Sequence, residues 1–135
     1  MMSFGVGRLG PVFMRDVTIS TLAEAVAALT EGGPVRLRSQ PFASASLGAG
    51  AFLALIKAAR AAVPGVAVEA VLDCGDAPGH ALGALRLGAE AISLTAPDEV
   101  MQKIAEIAAQ TGAKLYRASP DGQLHAMLPA SSTHP

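Results

Sequence analysis

Three glycines set the grammar of this chain. Gly65, Gly88 and Gly112 stand 23 and 24 residues apart. Each closes a segment whose apolar spacing reads as a helix, and each is followed by a short apolar run that reads as a strand. Glycine adopts, without steric cost, the left-handed backbone angle at which helices commonly end. A repeated helix–glycine–strand unit is the pattern of a parallel α/β sheet, where each strand is reached through a crossover helix. The chain has 135 residues, which is too few for the eight units that close a full barrel.

The clearest unit covers residues 66–94. Its opening run, 66–72, is nearly all apolar and suits a strand buried on both faces. Glu69 is the polar exception, expected at the margin of the buried zone or against a partner. Asp73-Cys74-Gly75-Asp76 breaks the strand. Asp76 or Ala77 then precedes a helix whose first turn carries Pro78, a position where the missing N–H is harmless. Leu82, Leu85 and Leu87 give that helix an apolar side, and 89–94 is the next strand.

The flanks follow the same grammar. A first strand is expected within 11–17. Thr21 and Glu24 have capping-box spacing, in which hydroxyl and carboxylate each bond a free backbone N–H. Leu22, Val26 and Leu29 mark the helix face that follows. Residues 35–38 alternate apolar and basic, a strand with one face open to solvent or a partner. Residues 40–50 read as a loop rich in Ser, Ala and Gly. A helix over 50–63 places Phe52, Ile56, Ala59 and Val63 at helical spacing. Later come a helix with Val100, Ile104 and Ile107 on its inner line, a strand at 114–117, and a turn at 120–122 from which 123–128 hairpins back. The expected organisation is one α/β domain over 11–128, an irregular segment 1–10 and a tail 129–135. Its sheet is mainly parallel, with four to six strands and about four helices packed on both sides; half a barrel is the alternative.

Apolar residues are 51% of the chain and charged residues 16%, which excludes wholesale disorder. A net charge of −1 gives no electrostatic footprint for nucleic acid or an anionic membrane. One cysteine cannot form an internal disulfide and fits a reducing compartment. The N-terminus lacks the pattern of a signal peptide. The most apolar helix, near 51–63, is shorter than a bilayer span and carries Lys57 and Arg60. A cytoplasmic protein is expected. The alanine-rich, charge-poor composition predicts a homo-oligomer, most simply a two-fold dimer.

Three sets of residues carry candidate chemistry. In the first, Cys74 could be a thiolate activated by the following helix, with His80 as its base, or Asp73, Asp76 and His80 could hold a metal. Against this, Asp73 and Asp76 both oppose a thiolate, no second cluster of metal-ligand type exists, and Cys74 serves equally as a small apolar filler; no metal is expected. In the second, Ser44, Ser46 and Gly48 precede an apolar helix whose free N–H groups could hold a phosphate or carboxylate. Arg36 and Arg38, on the preceding strand, could complete that anion site. The Gly-Lys-Ser/Thr ending of a nucleotide-binding loop is absent, and an ordinary connection capped by serine accounts for the same residues. In the third, Arg36 and Arg38 either meet an acidic partner or form a solvated strand face that guards an edge. His125 and His134 are assigned no role, and no cofactor motif is present.

Residues 21–107 resemble, in element order, the STAS (anti-anti-sigma) domains. The segment Phe42-Ala-Ser-Ala-Ser-Leu-Gly48, followed by a helix at 51–60, is similar to that family's Asp-Ser-Ser-Gly loop and helix. The resemblance implies a regulatory domain acting through protein contacts, with a loop serine as phosphorylation switch. In this chain the aspartate position carries Ser44, the switch position Ala45, and the second serine Ser46. Residues 71–94 also resemble single βα units of aldolase-type barrels. A STAS-like or flavodoxin-like sheet is therefore expected. The function expected is non-catalytic binding or assembly through a protein partner. The rival is a small enzyme or small-molecule binder with its site around Asp73–Asp76 and Ser44–Gly50.

Overall fold

The computed structural model describes residues 14–129. In chain order it contains β1 (Arg15–Thr18), α1 (Leu22–Thr30), β2 (Val35–Arg38), α2 (Ala49–Ala62), β3 (Val68–Asp73), α3 (Pro78–Arg86), β4 (Ala91–Leu94), α4 (Asp98–Thr111), β5 (Lys114–Ala118) and β6 (Leu124–Met127). A π-helical turn, Ser44–Gly48, leads directly into α2. The six strands form one sheet in the order β1-β2-β3-β4-β5-β6. Neighbours from β1 to β5 are parallel, and β6 returns antiparallel beside β5. The segment expected to be irregular, 1–10, and the tail from 130 lie outside the described residues, as do positions 11–13 of the first expected strand.

The strand order corrects the expected helix placement. A doubly wound sheet reverses its strand order at a switch point, which sends helices to both faces. Here every strand pairs with its neighbour in sequence. Right-handed crossovers then put all four helices on the same face. The burial pattern agrees: Val35, Leu37, Ala70, Leu72, Ile92, Leu94 and Leu115 share one core with the inward residues of all four helices. Their strand neighbours Val71, Ala91 and Tyr116 form a separate, smaller cluster on the other face. The molecule is an open, curled half-barrel, the architecture named above as the alternative.

Side chains on the concave face report the curl. Arg36 on β2 donates from Nη2 to the Tyr116 hydroxyl on β5 at 3.3 Å, and its guanidinium carbon lies 5.0 Å from the centre of that ring. In a flat sheet the two strands would be about 14 Å apart, three spacings of about 4.8 Å. Glu69, between them on β3, accepts from Arg36 Nε at 2.8 Å and from Tyr116 at 2.9 Å. Arg36 and Arg38 thus sit on the second strand, inside the sheet. They do not guard an edge, because β1 covers that side.

At the bottom of the sheet a side chain completes the ladder. Before β4 pairs with β3, the Glu90 carboxylate accepts the Ala70 N–H at 2.9 Å and binds Arg60 through both oxygens, at 2.8 and 2.9 Å. The carboxylate replaces the missing strand as acceptor for a half-buried N–H.

Two further local expectations change and a third holds. Residues 44–48 are helical, not a loop, so the helical run covers Ser44–Ala62, 19 residues of mean hydropathy 1.3. By length and composition alone that run could cross a bilayer. Gly48, however, at φ 96° and ψ 144°, departs from helical backbone angles and divides it, leaving α2 with the 14 residues Ala49–Ala62, and Phe52, Ile56 and Ala59 pack in the core. Asp76 does not cap α3: the N-cap is Ala77, with no side-chain bond. At α1 the capping box forms, with Thr21 Oγ1 accepting the Glu24 N–H at 3.1 Å. The Glu24 carboxylate reaches back to the N–H of Ser20, one residue before the cap, at 2.6 Å.

Candidate functional site

Parallel α/β sheets gather their ligand sites at the carboxyl ends of the strands, where successive loops meet. In this molecule those ends and their loops surround a mouth of about 420 Å³ on the concave side. Its polar wall is Arg38 from β2, Ser39 just past it, Asp73 from β3, Ser93 from β4, Thr95 just past it, and Ser119 after β5. Pro41, Val71, Ala118 and Pro120 supply apolar wall. A wider hollow of about 710 Å³ opens at the opposite end of the strands, beside Arg36, Glu69, Lys114 and Tyr116. There Glu69 is ion-paired with both Arg36 and Lys114.

Asp73 is the junction of the mouth. Its Oδ2 accepts the Phe42 N–H at 2.6 Å and the Gly75 N–H at 3.2 Å, and its Oδ1 accepts the Ser93 hydroxyl at 2.6 Å. The Asp73 N–H in turn donates to Ser39 Oγ at 2.9 Å. One residue therefore ties together the loop after β2, the turn after β3 and the end of β4. Gly75 is required in this turn. Its φ is +60°, and a Cβ there would lie 2.7 Å from Phe42 Cδ1. Phe42 itself has a φ of 55°, unusual for a bulky residue. It is held by the bond to Asp73 and by its ring packing on Gly75 and, at 5.4 Å, on His80.

The first sequence-derived set is divided by the sheet. Asp73 points into the mouth, whereas Cys74 is fully buried in the helix-side core. Burial, reinforced by the adjacent Asp73 charge, pushes the thiol up to about 12; a bond to Ser44 opposes this only in part. His80 is exposed on α3 and its Nδ1 lies 3.1 Å from Ser44 Oγ. Among the described residues no group of three His, Cys, Asp or Glu side chains is placed to hold a metal.

The second set is also separated. Ser44, Ser46 and Gly48 belong to the π-turn. Ser46 lines a small groove beside Ile19 and Leu47, outside the mouth. Arg36 lies lower on the concave face, engaged by Glu69 and Asp16. Its pKa is raised: burial works against the charge, but the Glu69 bond, with the Glu69 and Asp16 charges, outweighs that. Only Arg38 of this set lines the mouth. It donates from Nη1 to the Gly122 carbonyl at 2.7 Å, across to the β5–β6 turn, and lies 3.4 Å from Asp16.

Sequence reasoning missed Ser39, Ser93, Thr95 and Ser119. All four stand at the end of a strand or within two residues after it, the rule that singled out Asp73. Ser93, a lone hydroxyl between two buried apolar residues, was the most legible of them. The chain matches no protein-family model, no curated protein and no solved structure.

Proposed function

We propose that this half-barrel is a non-catalytic binding domain of the cytoplasm that holds a small molecule in the mouth at the ends of β2–β5. One observation carries the reading: four consecutive strands deliver a guanidinium, a carboxylate and several hydroxyls to one concavity with apolar walls, the usual make-up of a ligand site. The candidate catalytic groups support the non-catalytic part. A nucleophilic cysteine needs an accessible thiolate, and Cys74 is buried with its thiol held protonated. The two oxygens of Asp73 are occupied by three donors that shape the loops.

Amide-resolved NMR tests this. Amino acids, hydroxy acids, sugars and inorganic phosphate are titrated into the labelled protein. Shifts at Gly75, Thr95 and Gly122 with at least one probe are expected; shifts that avoid the mouth with every probe reject the reading. The enzyme reading, with Cys74, Asp73 and His80, returns if Cys74→Ala abolishes a measured turnover while the melting temperature stays within a degree or two.

A second reading, assembly through protein contacts, is favoured by the outer face of α2. Ala51, Ala54, Ala58 and Ala61 are exposed there at helical spacing, and Leu22, Phe42 and Leu47 are exposed towards the top of the molecule. A homo-oligomer or a STAS-like regulatory contact would use this side. Light scattering checks the first; a monomer mass over a hundredfold concentration range removes it.

A further inference from the structure

The hydrogen-bond polarity of the mouth restricts what fills it. The Ser93 hydroxyl spends its proton on Asp73, and the Thr95 hydroxyl donates to the Ala118 carbonyl at 3.2 Å. The Ser39 hydroxyl donates to the Gln40 carbonyl at 3.0 Å while accepting from the Asp73 backbone N–H. Each oxygen therefore faces the mouth as an acceptor. Asp73 is an acceptor as well; a carboxylate offers about four lone-pair sites, of which three are taken here. The donor side of the wall is Arg38. Its partner Asp16 is 3.4 Å away and 40% exposed, a contact that a better-placed anion can replace.

A complementary ligand presents an acceptor anion to Arg38 and donors to Asp73, Ser93 and Thr95. We infer that the mouth takes a small zwitterion, one carboxylate and one ammonium on a short frame, as in a free α-amino acid. This deepens the small-molecule reading above and rests on it. The carboxylate meets Arg38, whose planar fork suits it. The ammonium, with three donors, meets the acceptor side. Phosphate fits worse, because its charge faces Asp73 and it has few protons to donate. The adjoining helix starts do not compensate: α3 begins with Pro78, which has no N–H, and the first turn of α4 carries Asp98 and Glu99. A neutral sugar supplies donors but leaves Arg38 unanswered. The volume, about 420 Å³, is near the low end for ligand sites and suits a molecule of this size.

The test uses the full chain in calorimetric and NMR titrations. The probes are the common amino acids, their α-hydroxy-acid counterparts, their decarboxylated amine counterparts, glucose and inorganic phosphate. At least one amino acid is expected to shift the Gly75, Thr95 and Gly122 amides, with its hydroxy-acid and amine counterparts about tenfold weaker, the cost of one charge-assisted bond. Arg38→Gln should weaken binding by about tenfold or more on the same ground. Thr95→Val, which leaves the Arg38 bridge to Gly122 intact, should weaken it about threefold to tenfold. If phosphate or glucose moves these amides and no amino acid does, the zwitterion is wrong while the small-molecule reading stands. If no probe moves them, both fall. Amino-acid binding that survives both substitutions unchanged places the ligand elsewhere and overturns the inference.

Discussion

Cys74 and Asp73 are adjacent in sequence and opposite in environment, because side chains alternate across a strand. Leu72 and Cys74 face the helices, and Val71 and Asp73 the concave side. With the thiol raised to about 12, reaction with an aromatic disulfide reagent at pH 8 should track unfolding and be negligible in the native protein. Rapid labelling without denaturant would contradict the buried placement. Cys74→Ala should fold, cost about 1 kcal/mol for the small volume lost, and leave binding at the mouth intact. The place of Asp73 at a strand end was legible in the sequence. Its role was not, because its partners Phe42 and Ser93 lie 31 residues back and 20 ahead. Glu69 makes a sharper pH prediction. Burial alone would raise its carboxyl, but bonds from Arg36 and Tyr116, with the Arg36 and Lys114 charges, hold it below the usual range. A depressed carboxyl contributes stability above its unfolded pKa, about 4.3, and loses it as pH falls towards the folded value. Glu69→Gln should therefore cost about 2 kcal/mol at pH 7, less than for a fully buried pair because Arg36 is partly exposed. In denaturant melts that gap should close below about pH 4; a gap independent of pH would assign the cost to packing alone.

At the scale of elements, two helix starts can be set against each other. Thr21→Ala removes a formed cap and should cost about 1 kcal/mol. Asp76→Ala removes no cap and should change stability by less than about 0.5 kcal/mol. Paired urea melts decide it; equal losses would show that Asp76 supports α3 in a way its geometry does not suggest. The helix ends, the strands and the hairpin were legible because each rests on local chemistry: φ is +95° and +78° at Gly88 and Gly112, which close α3 and α4. By contrast α2 ends earlier, with Val63 as its cap ahead of Pro64-Gly65. The π-turn was not legible. Ser, Ala and Gly are common in loops, and Gly48, at φ 96° and ψ 144°, interrupts the backbone before α2, so the apolar spacing of that helix does not carry back into Ser44–Gly48.

For the whole molecule, the placement of helices on one face follows from strand order, and strand order is a long-range property that local pattern leaves open. The sequential order has a kinetic consequence. Each strand finds its partner in the segment just before or after it, so the sheet can zip from any βα unit without closing a long loop. The bonds that join its distant parts are on the concave side: Arg36 to Tyr116 across 80 residues, and Arg38 to Gly122 across 84. They can form only once β2 to β5 are assembled and curled, so they belong after the folding barrier. Arg36→Met should leave the refolding rate within a factor of about two, and should speed unfolding by roughly fivefold to thirtyfold for a loss of 1–2 kcal/mol. Stopped-flow folding and unfolding in urea would show it. A slowed refolding arm with unchanged unfolding would mean that the curl is set first and the strands are added to it.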